Sequence, residues 1–540
     1  MVREPLQPGP SRSLADLAEV APAGRPHRAS GERRRRRPPS RLFRWAVRLL
    51  VLGIVLGGAG LGGVAWFIDD QGRSPREWAP YIERRASGNH AVFVEAGSLI
   101  ARYLRRMDVL RRGEDVAIPP AIGASPARSG APSSANAKLV LNTAQLAAAI
   151  AQAVPGQVIT LVPGTYRIDG RGLRLERAGA VNAPVVLRAE RLGDVTILSD
   201  VDEALKVSAP YWTIENLIVR GVCGGHSSCE HAVHVVGAAT GTVIRNNRFE
   251  DFNAQIKING EDGLFPDNGR IEGNTLTNSE PRSTRNPITP IDLVSASNWR
   301  ITGNFIADFQ RTGLGAATYG AFMKGAGEGT VMERNVVLCE WKLRRSYSPN
   351  IGLSVGGGGT FPDAIKRDQG KSGAEQHGGI IRDNLIAFCN DVGIYVNKGR
   401  RTLVAHNTVL DTAGIGIRFA ESSAEVVGNL IDGIVQTREG AVVRARDNAA
   451  AMLLGLFVGW HPARDMFGDV ARFDLRWRER PGAIITGELR PDLCGVERTG
   501  RVLPGAFEDF SKCRTAEPTA TPATAAPPAR SATPPTGPAR

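Results

Sequence analysis

Ile244-Arg-Asn-Asn247, Ile271-Glu-Gly-Asn274, Ile301-Thr-Gly-Asn304, Met332-Glu-Arg-Asn335, Ile381-Arg-Asp-Asn384, Val404-Ala-His-Asn407 and Val426-Val-Gly-Asn429 are one phrase repeated. It reads apolar, any, any, Asn, any, apolar, and it returns at spacings of 22 to 49 residues. A recurrence in that range, with a short strand and a turn in each unit, is the pattern of a solenoid whose units stack on one another. An Asn at each return fits a corner where one amide bonds its equivalent a coil away. The reading is an all-β chain, a right-handed parallel β-helix.

Outward from this stretch, residues 138–445 form the expected solenoid domain. It opens on a helix over Ala144–Ala153, capped by Thr143, with Leu146, Ala149 and Ile150 on one apolar face. Such a helix covers the first coil, whose open sheet end would otherwise pair with another chain. The alternating Val158-Ile-Thr-Leu-Val162 and the turn Pro163-Gly-Thr-Tyr166 follow. Trp212-Thr-Ile-Glu-Asn216 is a coil one residue off the phrase. Residues 446–513 lose the period and are expected to cap the last coil, and 514–540 read as a disordered Pro/Ala/Thr tail.

Ahead of the solenoid, residues 1–44 are a disordered basic arm, followed by a transmembrane segment at 45–68, which contains the uncharged run Leu49–Ile68. Twenty apolar residues span a bilayer core of ~30 Å as a helix. Arginines before it (Arg33–Arg37) and Asp69 and Asp70 after it place the N-terminus in the cytoplasm by the positive-inside rule. The expectation is a single-pass inner-membrane protein with its solenoid in the periplasm or outside. A cleaved signal peptide is the alternative, and it exports the solenoid as well. Residues 69–116 read as a helical stalk, with a capping box at Ser74-Pro-Arg-Glu77 and a second helix over His90–Arg112. Residues 117–137 read as a linker.

The net charge is +13, of which residues 1–48 supply +8. The folded part is therefore mildly basic, which argues against nucleic acid as its partner. With 62 Gly and 6% aromatics, the composition suits a turn-rich solenoid. Six cysteines agree with an oxidising compartment. Cys223 with Cys229 and Cys494 with Cys513 are natural pairs. Cys339 and Cys389 fall on the same side of adjacent coils, either bonded or as two stacked thiols. No Cys-x-x-Cys or Cys–His cluster points to a metal.

Chemistry must sit on outward residues, which alternate with core residues along each strand. Taking apolar residues as inward leaves His234, Lys257, Asn259, Asp292, Phe322, Lys324, Ser354, Tyr395, Asn397 and Arg418 outside. Lys257, Asp292 and Lys324 are expected in one vertical row. The Arg- and aromatic-rich loop 339–350, with Arg344, Arg345 and Tyr347, suits carboxylates and sugar rings. The insertion 356–378, with His377, accounts for the longest spacing and is expected at the binding face.

Ala321-Phe-Met-Lys324-Gly-Ala-Gly-Glu-Gly-Thr-Val-Met-Glu-Arg-Asn335 resembles the catalytic coil of chondroitinase B-like and alginate lyases, polysaccharide lyase family six. The resemblance implies β-elimination on an acidic, uronate-containing polysaccharide, with Lys324 as base and Arg345 assisting. The outward set and the two loops supply the expected substrate contacts Lys257, Asn259, Asp292, Arg344, Tyr347, His377, Tyr395, Asn397 and Arg418. Calcium is possible by resemblance, but Ala317 and Tyr319 stand where its acidic ligands would be. A C5-epimerase using His234 or Tyr395, and a non-catalytic carbohydrate-binding or envelope-structural solenoid, are the alternatives.

Overall fold

The computed structural model describes residues 41–113, 116, 122–126, 137–312, 316–344, 348–357, 359–362, 365–485 and 490–514. The chain divides into two compact units, one ending at Gly63 and one beginning at Val64. Helix α1 (Arg41–Gln71) contains a candidate membrane span, Trp45–Gln71, with a mean hydropathy of 2.0 and no buried residues. The expectations for the basic arm before Arg41 and the tail from Thr515 lie outside the described residues.

Residues 137–450 are a parallel β-helix. Its three long sheets hold 12, 11 and 10 strands and are called A, B and C here; within each, every strand pairs in parallel with those of the neighbouring coils. The chain visits them in the order C, A, B. For example, it runs through His231–Val236, Val243–Arg245 and Arg248–Glu250 before returning to C at Ile256–Asn259. Ile, Val and Leu from all three sheets fill one continuous core. β-branched side chains suit such strands, because they pack on a pleated surface at little cost in rotamer freedom.

The repeated Asn stands at the corner between A and B, fully buried from Asn247 to Asn429. Each Nδ2 donates to the next Asn Oδ1 at 2.8–3.1 Å and to a backbone carbonyl of the preceding coil, as Asn335 does to Asn384 and to Ile301. Each Oδ1 also accepts the backbone N–H of the preceding Asn. All the polar atoms of the amide are thus paired inside the corner, which is what burial requires. The residue before each Asn turns the chain through the left-handed region, as at Gly273 (φ 61°), Arg334 (φ 53°) and His406 (φ 52°). That geometry explains why Gly, Asn and Asp recur there. The ladder takes a further rung at Asn448, beyond the last legible repeat, because Ala445 and Ala450 make a weak version of the phrase.

Helix α2 (Pro75–Ala86) starts at Ser74, whose backbone N–H donates to Glu77. Helix α3 (Ala91–Asp108) packs on α2 through Gly97 and Ala101, and Leu99, Ile100 and Tyr103 face outward. The two are bolted to the solenoid by Arg76, which is buried and bonds Asp108, Asp411 and the Cys389 carbonyl. Helix α4 (Thr143–Ala151) covers the first coil with Leu146, Ala149 and Ile150 buried as expected, but its cap is Asn142 rather than Thr143. Asn142 wins because its side chain reaches the Gln145 N–H while Thr143 Oγ1 accepts from Arg167. The segment 122–126 lies along sheet B, held by Gly303, Thr275 and Asn246. Beyond Ala450, Phe467, Phe473, Leu475, Phe507 and Phe510 build a second apolar cluster on the outer face of sheet B. All six cysteines pair, as Cys223–Cys229, Cys339–Cys389 and Cys494–Cys513. The middle two are therefore a bond and not stacked thiols.

Candidate functional site

The outer face of sheet C carries the ten residues that alternation places outside, in two rows. Strand register aligns His234, Lys257, Asp292, Phe322, Ser354 and Tyr395 in one row. The other runs Val236, Asn259, Val294 and Lys324, and continues through Asn397, Arg418 and Arg438. Lys324 therefore does not stack on Asp292 as expected. It stands two residues further along its strand, opposite Val294, while Phe322 takes the place above Asp292. The connections between sheets C and A differ in length from coil to coil, so parity along the chain identifies the outer face but not the row.

At the N-terminal coils the charges satisfy one another. Lys257 bonds Asp292 at 2.7 Å, and Lys206 bonds Glu261 at 3.1 Å. Glu203 receives Arg174 at 3.0 Å on one oxygen and His234 Nδ1 on the other. His234 Nε2 faces Asn259 Oδ1 at 2.6 Å. The hydrogen bond and charge of His234 hold the Glu203 carboxyl down at about 2. His231 packs edge-on against His234, with ring centroids 4.9 Å apart, and burial pushes its pKa down to about 4. Glu203 and His231 escaped the sequence reading. Ala204-Leu205 and Ala232-Val233 are consecutive buried pairs, which break the alternation and bring the preceding residue to the outer face.

At the C-terminal coils the same face turns apolar and concave. Val294, Tyr319, Phe322, Ile351, Val392 and Tyr395 form a cluster separate from the core. A groove of about 470 Å³ runs over it, lined by Tyr319, Ile351, Tyr395, Asn397, Lys398, Arg418, Phe419 and Arg438 among others. Arg418 lies over the Phe419 ring at 4.6 Å and bonds Glu439 at 2.8 Å. Burial raises the Tyr395 phenol against the opposing pull of Arg418. Lys398 and Arg438 join the groove without standing in the outward set, and Tyr319 joins it as a phenol where the resemblance places an acid. Arg438 was legible in principle, since it repeats Arg418 one coil later.

Lys324 lies at the edge of this region. Its Nζ sits 4.3 Å over the Phe322 ring and donates to the carbonyls of Gly357 at 3.4 Å and Gly359 at 3.2 Å. A side chain at Gly357 would meet the Phe322 ring at 2.9 Å, so only glycine lets the backbone lie this close. Burial is the largest influence on Lys324 and lowers its pKa. Asp292 and Glu375 oppose that shift and Lys257 adds to it. The insertion is anchored by the buried Glu375, which bonds Lys366 at 2.9 Å and the Thr360 N–H at 3.0 Å.

Of the residues expected at the site, Tyr395, Asn397 and Arg418 meet in the groove. Lys257, Asn259 and Asp292 lie on the neighbouring coils of the same face. Arg344 instead bonds the Arg112 carbonyl at 3.2 Å, and His377 bonds Ser372 at 3.2 Å in a small sheet at the C-to-A corner. Arg345 and Tyr347 lie outside the described residues. Ala317 and Tyr319, in the places of calcium-binding acids, line the groove with a methyl group and a phenol. That donor set does not fit calcium, which takes six to eight oxygen ligands rich in carboxylates.

Fold and site together describe a parallel β-helix protein with an aromatic, cationic groove on one face. No family model matches the sequence, and no curated protein does. Among solved structures, the pectate lyase Pel9A is similar at 15% identity over 67% of this chain and 90% of its own, with a TM-score of 0.44. A rhamnogalacturonan lyase is similar at 13% identity over 58% and 87%, with a TM-score of 0.42. The family-six polysaccharide lyase Pedsa3628 from Pseudopedobacter saltans is similar at 13% over 64% and 96%, with a TM-score of 0.34.

Proposed function

We propose that this chain is a membrane-anchored protein, facing the periplasm, that binds an acidic, uronate-containing polysaccharide on sheet C and cleaves it by β-elimination. The observation that carries the reading is the adjoining of a desolvated lysine, Lys324, and a groove lined by Tyr319, Tyr395, Lys398, Arg418 and Arg438. Aromatic faces suit sugar rings and guanidinium forks suit carboxylates. The named activities of similar solved structures, pectate, alginate and rhamnogalacturonan lyases, agree with an acidic polysaccharide. The apolar span of α1 and three disulfides support an anchor and an oxidising compartment.

In this mechanism Lys324, as the free amine, takes the C5 proton of a uronate. The C5 electron pair becomes the C4–C5 double bond and the C4–oxygen bond breaks. Tyr395, kept protonated by burial, gives its proton to the departing oxygen. Arg418 and Arg438, three and four coils beyond Lys324, hold carboxylates of the adjoining sugars and so fix the polymer in the groove. Lys324 exchanges its carbonyl contacts for substrate before it acts. The test is incubation of the purified chain with alginate, pectate and chondroitin, followed by ultraviolet absorbance of the new double bond. Absence of product across the panel with binding retained would leave a binding protein. Solvent deuterium at C5 without cleavage would replace the lyase by an epimerase.

A further inference from the structure

We propose that Glu203, His231 and His234 form a divalent-cation site of the zinc class on the N-terminal coils of sheet C. Their ligand atoms lie within 4.8 Å of one another. Glu203 and His231 are direct register partners on adjacent coils, and His234 follows on the second strand. Two imidazoles and one carboxylate, with a fourth position open to solvent, is a donor set that zinc accepts at catalytic centres. It suits late first-row metals and not calcium or magnesium, which prefer all-oxygen shells.

The surroundings favour a ligand role over a plain salt bridge. A metal-binding histidine normally gives its other ring N–H to an oxygen, which fixes the tautomer. Both rings here have that partner. His231 Nδ1 faces the Ala254 carbonyl at 3.2 Å, leaving Nε2 for a metal. His234 Nε2 faces Asn259 Oδ1, and Asn259 is oriented by giving its own Nδ2 proton to the Gly260 carbonyl at 3.0 Å. His234 Nδ1 is thus the atom turned toward Glu203. Arg174 holds one Glu203 oxygen and leaves the other inward. The nearby Lys206 ammonium is drawn off by Glu261. Metal entry replaces the proton shared between His234 Nδ1 and Glu203, and that proton leaves to solvent. The open position faces the same side as the groove and would accept water or a carboxylate oxygen.

The test uses the untagged full chain in detergent, stripped with chelator and titrated with cobalt(II) and then zinc. One cobalt per chain is expected, with the intense visible bands of a low-coordinate centre, displaced by zinc. Glu203→Gln and His234→Ala should each abolish stoichiometric uptake. Asn259→Ala, which keeps all three ligands, should weaken it about 10–100-fold, the usual loss for an outer partner. No stoichiometric uptake by the parent chain would overturn the site, as would uptake unchanged in either Asn259→Ala or Glu203→Gln. The parent spectrum and Asn259→Ala decide the matter even if a ligand variant fails to fold. None of these readouts involves polysaccharide turnover, so the site and the proposed activity fail separately.

Discussion

The two ends of sheet C share a backbone register and a core, yet their outer faces solve different problems. On the N-terminal coils, charges are answered on the spot by Lys257–Asp292, Lys206–Glu261 and the Glu203–His234 pair. On the C-terminal coils, aromatic side chains make a concave floor, and Lys398, Arg418 and Arg438 edge it. A solenoid permits this because each coil constrains only its neighbours, so outward residues change freely while inward ones keep the repeat. Lys324 sits where the two regions meet, which makes it the residue most sensitive to both.

The largest expected effect comes from Lys324→Ala. If the C-terminal half is a catalytic groove, turnover should fall by about 10²–10⁴-fold, the usual contribution of a general base. Polysaccharide binding, read by affinity electrophoresis, should persist. Unchanged turnover would remove Lys324 from the chemistry and reduce the difference between the halves to one of packing.

The comparison also assumes one unbroken frame beneath both halves, and Asn335→Ala tests that. It deprives the Asn304 amide and backbone N–H of their acceptor and leaves the Ile301 carbonyl without its Asn donor. Stranding buried polar groups should cost about 3 kcal/mol in denaturant unfolding. The loss should center on coils near Asn335, seen as faster amide exchange there, with the coils before Trp212 less affected. Uniform exchange would mean that the solenoid unfolds as one unit.

Arg418→Ala with Arg438→Ala should weaken polyuronate binding roughly 10-fold or more, since charge-assisted hydrogen bonds contribute ~1.5–3 kcal/mol each. A neutral glucan should show no such change. Equal loss for both polymers would make the groove a sugar platform without charge selectivity.

The frame was far more legible than the site. Asn247 to Asn429 can be read directly because a buried amide ladder tolerates no substitute at its own position, while strands and turns around it follow ordinary propensities. Tyr395, Asn397 and Arg418 were legible for the same reason, lying on short coils where alternation holds. Glu203 and His231 were hidden by paired buried residues that break the alternation. Lys324 was assigned to the outer face correctly but to the wrong row, because row identity depends on three-dimensional register across connections of unequal length. The contact of Arg344 is hidden for a further reason. Its partner is the Arg112 carbonyl, a segment over two hundred residues earlier in the chain, which no local pattern announces.

The smallest effect is also the sharpest, because it has a sign. Burial lowers the Lys324 pKa, Asp292 raises it and Lys257 lowers it, so the charged pair of the N-terminal half tunes the lysine at the edge of the C-terminal half. If Lys324 is the base, the free amine is the active form and the rate should climb as pH rises through the Lys324 pKa, below the ordinary lysine range. Asp292→Asn removes an anion that favours the ammonium, and the rising limb should move to lower pH. Lys257→Met removes a cation that disfavours the ammonium and frees Asp292 from its partner, and the limb should move to higher pH. Opposite displacements in kcat against pH tie the two halves together through Lys324. Displacements of the same sign would mean that the limb belongs to another group, and the two ends of sheet C would then be independent surfaces on a common frame.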